Sequence, residues 1–223
     1  MSQNTHDYGH FSEHENPWRF MLSKLPTLLI FSRLEAQRAY SYRDFKVGAS
    51  VFSIIEGAPF WSIDSAGNTK NERRPKVCAE KKSLKRSSKM GMTKTLAVVV
   101  AATTDIDKIE EVTFLRTPTL HPCDECRGLF DEFPVARDDT LIISTGYEND
   151  VFQVHTHAEL REAYNSGVTD LIEYRKRKGF NKSGLIRTFD SIKGVQKTIP
   201  ADRQMLDHEI AKVALLTHMQ FVA

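Results

Sequence analysis

Two short stretches, Cys78-Ala79-Glu80 and Pro122-Cys123-Asp124-Glu125-Cys126, hold the residue types most able to do chemistry. They contain all three cysteines of the chain. An odd count, with two of them as Cys-x-x-Cys, argues against a disulfide framework and for metal binding. Two thiolates in the first turn of one helix and a third at the start of another can converge on a single tetrahedral zinc. Helix N-termini suit this, because their unpaired N–H groups and the helix dipole stabilise thiolate. Three protein ligands leave a fourth position for water, the arrangement of catalytic rather than structural zinc. Zinc lowers the pKa of that water enough to supply hydroxide near neutrality. Glu80 follows the first ligand by two residues, near the metal without needing to bind it, where a carboxylate can shuttle protons. The competing reading is a closed zinc knot with His121 as fourth ligand and Glu80 on a solvated face. Structural sites usually come as two paired-ligand knuckles, and only one pair is present here.

The elements that must position these residues can be read from periodicity and punctuation. Thr27 is a plausible cap for a helix running to about Tyr40, with Leu28, Phe31 and Leu34 facing inward. Phe45 to Ile55 and Phe60 to Ser65 read as strands joined through Glu56-Gly57. Ala66-Gly67-Asn68 opens a polar loop that ends at Pro75. A helix is expected from Cys78 to about Met90, stopped by Gly91. Thr95 to Ala102 is a continuous apolar strand of the kind buried on both faces. A helix starts near Cys123 and ends before Pro134, followed by strands at Thr140 to Ser144 and Val151 to Val154. This alternation predicts a mixed α/β layer fold with helices on a central sheet. Ala158 to Tyr164 and Met205 to Met219 read as helices, and His155 and His157 as a surface pair at strand spacing.

The chain of 223 residues suits one domain with a full core, or one domain plus an appendage. Residues 1–16 read as a loose polar tail, although His6, His10 and His14 are spaced to share a helix face. Residues 17–165 form the expected catalytic domain, and 166–223 a helical extension packed on it. A net charge of +2 leans away from a protein built mainly to grip polyphosphate. The longest apolar run, Leu96 to Ala102, is far short of the roughly 20 residues that span a bilayer. Without an apolar signal core near the N-terminus, a cytoplasmic address is the default expectation.

With the two metal motifs in place, the chain resembles the cytidine deaminase family, in which Cys-Ala-Glu and Pro-Cys-x-x-Cys supply three zinc cysteines and a proton-shuttling Glu. A third block agrees: Tyr42-Arg43-Asp44-Phe45-Lys46-Val47-Gly48-Ala49 resembles the family's Tyr-Ser-x-Phe-x-Val-Gly-Ala. The resemblance spans roughly residues 27–165. It implies a three-layer α-β-α fold around a mixed sheet, with zinc on Cys78, Cys123 and Cys126 and Glu80 as the catalytic residue. Phe45 would then pack on the pyrimidine ring, the Gly48-Ala49 backbone would form one wall of the pocket, and Ala79 would touch substrate beside Glu80. Gly67-Asn68 loosely resembles the family's Gly-x-Asn, which makes Asn68 a candidate for the sugar. Arg127 matches the Arg after the cysteine pair. A homodimer or homotetramer with neighbouring subunits completing each pocket is also implied.

The chain departs from that pattern in three ways. Lys70 stands where the family has a ribose-binding Glu, within a charged stretch (Lys70, Glu72, Arg73, Arg74, Lys76) that either recognises a carboxylate or phosphate on the substrate or is simply solvated. Lys81 stands where many members have Arg, as a point charge able to offset three thiolates but lacking a fork. The segment between the metal motifs is long, and about sixty residues follow the core. The looser members, blasticidin-S deaminase among them, share the missing Glu. The expected function is hydrolytic deamination of a small amino-pyrimidine such as a cytosine-type nucleoside. The alternatives are a deaminase of bases in single-stranded nucleic acid, suggested by Tyr174, Phe180 and the basic run Arg175 to Lys182, and a non-catalytic zinc-stabilised binding module.

Overall fold

The computed structural model of the chain describes residues 5–12, 15–41, 46–71, 74–103, 132–146, 152–158 and 161–162. In chain order they form β1 (Asp7–His10), α1 (Pro17–Ser23), α2 (Leu25–Arg38), β2 (Tyr40–Ser41), β3 (Lys46–Ile54), β4 (Phe60–Gly67), β5 (Thr69–Asn71), β6 (Arg74–Val77), α3 (Ala79–Lys89), β7 (Lys94–Thr103), β8 (Ala136–Gly146) and β9 (Phe152–Thr156). The helices expected after Cys123 and at 205–219, the basic run 175–182 and the extension 166–223 lie outside the described residues.

The apolar run expected to be buried on both faces becomes β7, near the middle of a six-stranded sheet ordered β1-β4-β3-β7-β8-β9. Only the β7–β8 pair is parallel, so the sheet is mixed, as expected. Residues paired in register share a face, and the two faces have separate cores. On one, Phe52, Ile63, Val99 and Ile143 pack against Met21 of α1 and Leu25, Leu28 and Leu29 of α2. On the other, Val51, Val98, Val100 and Ile142 pack against Ala79 and Leu84 of α3. The three layers are therefore helix, sheet, helix. Buried serines on β3 are satisfied locally. The Ser50 hydroxyl donates to the Leu28 carbonyl at 2.7 Å, and Ser53 sits 2.9 Å from the Thr95 hydroxyl while accepting from Ser87 at 2.7 Å. Small hydroxyl residues in a doubly buried strand thus fasten helices to the sheet.

α2 runs closest to the sheet at the paired glycines Gly48 and Gly67. A Cβ on Gly48 would lie 1.9 Å from the Ser32 carbonyl oxygen, and one on Gly67 2.6 Å from that of Glu35. Gly48 is therefore required by helix packing, whatever its part in the family-like block.

Several local expectations are corrected. The helix read from Thr27 begins at Leu25, because Pro26 falls in its first turn, where a missing N–H costs nothing. α1 was not legible at all. Asn16 caps it, its side-chain oxygen accepting from the Trp18 and Arg19 N–H groups at 2.9 and 3.3 Å. Asp7–His10, read as part of a loose tail, instead pairs antiparallel with β4 as an edge strand. A spacing of four is even, so His6 and His10 share a strand face as readily as a helical one. The stretch read as a polar loop up to Pro75 contains β5 and β6, which join β2 in a second, three-stranded sheet. His157, read as half of a surface pair, is buried.

The N-terminal strand is tied down by side-chain hydrogen bonds as well as by its ladder. His6 Nδ1 lies 3.2 Å from an Asp64 oxygen, and the Ser62 hydroxyl donates to the other oxygen at 3.2 Å. Burial pushes the Asp64 carboxyl above its ordinary pKa, against the opposing pull of Ser62, His6 and Arg86. A carboxyl raised in the native state contributes stability below its unfolded pKa and loses that contribution as pH rises through the native value. Asp64→Asn should therefore gain stability relative to wild type on going from about pH 3 to about pH 7, read as urea midpoints. A variant that loses stability relative to wild type between those two pH values would contradict this.

Candidate active site at the start of α3

Cys78 occupies the N-cap of α3 with extended backbone angles (φ −69°, ψ 149°), and its carbonyl accepts the first intrahelical bond, from the Lys82 N–H at 3.2 Å. The chain turns here from β6 straight into the helix, so Ala79 and Glu80 fall in the first turn. Cys78 and Glu80 are only 3% and 5% exposed. A thiol and a carboxylate are therefore both buried at the turn whose N–H groups have no intrahelical acceptor. The far end is complementary, with Arg86 and Lys89 in the last turn and Gly91 beyond it at φ 80°. These placements follow the sequence expectation closely.

Ala79 is fully buried, its methyl in the α3-side core with Val98 and Val100, so any approach to substrate from this position is through its backbone. Ala49 lies on the same face, and its carbonyl accepts from the Ser83 hydroxyl of α3 at 3.1 Å. Asn68 is 2% exposed at the corner where β4 gives way to β5. Its side-chain oxygen accepts from the Val47 N–H at 3.0 Å, its own N–H donates to the Val47 carbonyl at 2.7 Å, and its carbonyl accepts from Tyr40 at 3.3 Å. Asn68 thus clasps the ends of β2, β3 and β4, a role its family-like spacing did not reveal.

The two lysines after Glu80 diverge. Lys81 reaches Glu132, with 3.2 Å between Nζ and a carboxylate oxygen, in a surface pair of the kind that contributes little to stability. Lys82 turns inward: its ammonium donates to the Gly67 carbonyl at 2.8 Å and to the Thr69 hydroxyl. Burial lowers its pKa below the usual lysine value, Arg86 lowers it further, and Glu35 opposes both. Sequence reading passed over Lys82, although it stands one helical turn after Cys78 and therefore on the same face.

Phe45, Cys123, Cys126 and Arg127 lie outside the described residues. Among the described residues no group of three or more His, Cys, Asp or Glu is placed to hold a metal. Cys78 itself fits a zinc ligand, as a buried sulfur at a helix N-terminus. No helix among the described residues is long and apolar enough to cross a membrane.

No family model matches the sequence, and no curated protein does. Among solved structures, the chain is similar to cytidine deaminase from Burkholderia pseudomallei, at 20% identity and a TM-score of 0.45 over 60% of this chain and 92% of that one. It is likewise similar to cytidine deaminase from Mycobacterium leprae, at 18% identity and a TM-score of 0.41 over 61% and 95% of the two chains. The enzyme from Mycobacterium tuberculosis matches at 21% identity and a TM-score of 0.36, over 57% and 85%.

Proposed function

We propose that the chain is a zinc-dependent hydrolytic deaminase that replaces an exocyclic amine by oxygen on a cytosine-type nucleoside or related amino-heterocycle. The observation that carries the reading is a buried carboxylate, Glu80, in the first helical turn directly after a buried N-cap cysteine. Cys78, Cys123 and Cys126 would hold the metal, which when bound supplies the Lewis acidity that makes water nucleophilic near neutral pH. Glu80 takes a proton from water and gives it to the ring nitrogen, then takes the proton of the newly added hydroxyl and gives it to the departing amine. Water and the amine-bearing ring become the oxo ring and ammonia, with no redox change. Phe45 would stack on the ring and Asn68 would steer the substituent it carries, while Lys81 and Arg127 offset negative charge around the thiolates. Assembly as a homodimer or homotetramer belongs to the same proposal.

The test is ammonia release from cytidine, deoxycytidine, their phosphates, amino-heterocyclic antibiotics and single-stranded oligonucleotides, using protein of measured zinc content. Release from a free nucleoside, abolished by a chelator and restored by zinc, is the expected result. Purified protein that takes up no metal, or zinc-loaded protein inert toward every substrate, would overturn the reading.

A further inference from the structure

Resting on the deaminase reading, we propose that Lys82 is a positioning residue that fixes the separation between Asn68 and Glu80. β1 covers the outer edge of β4 only from Phe60 to Ile63. Farther along, α3 supplies the donors: the Arg86 guanidinium bonds the Ser65 carbonyl, and Lys82 bonds the Gly67 carbonyl at 2.8 Å. Both cations satisfy backbone groups beside which no strand lies among the described residues. Lys82 does more, because its second acceptor is the Thr69 hydroxyl. Its two acceptors therefore stand on either side of Asn68, while its backbone N–H closes the first turn of α3 on Cys78. One side chain joins the helix bearing Glu80 to the corner bearing Asn68.

The Asn68 side chain is held from the opposite direction by the Val47 N–H. With Lys82 in place, the corner is gripped from α3 and from β3. Without it, the corner keeps its strand contacts but loses this bond to the helix that carries the proton-transfer group. The consequence is a substrate held at the wrong distance from Glu80, not an unfolded chain.

The experiment compares zinc-loaded full-length protein with Lys82→Met, Lys82→Arg, Thr69→Val and Arg86→Met, using whichever substrate the ammonia screen identifies. Lys82→Met should lower kcat about tenfold while KM stays within about threefold, because a substrate bound at the wrong distance from Glu80 loses stabilisation in the transition state and not uniform binding. Amide hydrogen exchange at residues 68–71 should quicken by about the same factor. Lys82→Arg should restore most of both, and Thr69→Val should shift both in the same direction by about threefold. Arg86→Met removes the neighbouring edge bond and should lower the melting temperature without splitting KM from kcat. If Lys82→Met leaves exchange and kcat unchanged, or moves KM and kcat only as Arg86→Met does, the proposal is overturned. Should Lys82→Met fail to fold, Thr69→Val decides on the same readouts. A wild type that deaminates nothing would overturn the functional reading, and the exchange measurements would still decide whether Lys82 holds the corner.

Discussion

Glu80→Gln is expected to keep its zinc and its melting temperature while losing turnover by a factor of about a thousand, within the range that general acid–base groups supply. The substitution keeps the shape of a side chain that is 5% exposed, so no cavity opens in the first turn of α3. It removes the ionised oxygen that accepts a proton and the acid that returns it. In the proposed scheme one group carries out every proton transfer, and nothing else in the described first turn of α3 can replace it: Ala79 is apolar and Lys81 is engaged with Glu132. Because Glu80 is not assigned as a ligand, metal analysis should return the wild-type stoichiometry. Cys78→Ser, by contrast, should lose metal and turnover together. Retention of more than about a tenth of wild-type kcat by Glu80→Gln would sink the assignment.

What the residues revealed in advance, and what they concealed, follows a physical division. Elements with strong local signals came through nearly residue for residue. Gly57 and Gly91, read as a hairpin turn and a helix stop, both adopt left-handed backbone, at φ 79° and 80°. Cys78 was read as the start of a helix and is its N-cap. The apolar run from Leu96 to Ala102 is buried along its length. What was concealed depends on partners distant in sequence. β1 exists because β4 offers it an edge and because Thr5 and His6 find Glu35 and Asp64, at 2.7 and 3.2 Å. β5 and β6 are short and highly charged, and they are strands only because they pair with each other and with Tyr40 and Ser41. The candidate site divides in the same way. Its thiol and carboxyl half, Cys78 and Glu80, was legible from residue type and spacing. The Asn68 clasp and the Lys82 brace consist of contacts made across 13 or more places in the chain, among them Lys82 with Thr69 and Gly67 and Asn68 with Val47, to which no local pattern points.

The glycine pair beneath α2 gives the sharpest test of the fold itself. Gly48→Ala should destabilise the protein by about 3 kcal/mol or more, at or beyond the upper end of what core overpacking usually costs. The added methyl would lie 1.9 Å from the Ser32 carbonyl oxygen and 2.3 Å from the Ala36 nitrogen, both helix backbone that cannot swing aside like a side chain. α2 must therefore lift as a unit, opening the interface where Leu28 and Leu29 meet Phe52 and Ile63. Gly67→Ala should cost less, since its methyl would lie 2.6 Å from the Glu35 carbonyl oxygen and 3.0 Å from the Ala39 side chain at the end of the helix. Gly57 and Gly91 have open space around them, so alanine there meets only the strain of left-handed backbone, about 1 kcal/mol. Urea midpoints should rank the variants in that order, with Gly48→Ala lowest. A Gly48→Ala protein within about 1 kcal/mol of wild type would mean that α2 does not approach β3 this closely. The α2 terminus hands the chain to Tyr40, whose N–H donates to the Asn68 carbonyl at 3.3 Å. Lifting the helix should therefore disturb the substrate corner as well as the core, and a Gly48→Ala protein that still folds should show raised KM before it shows lost zinc.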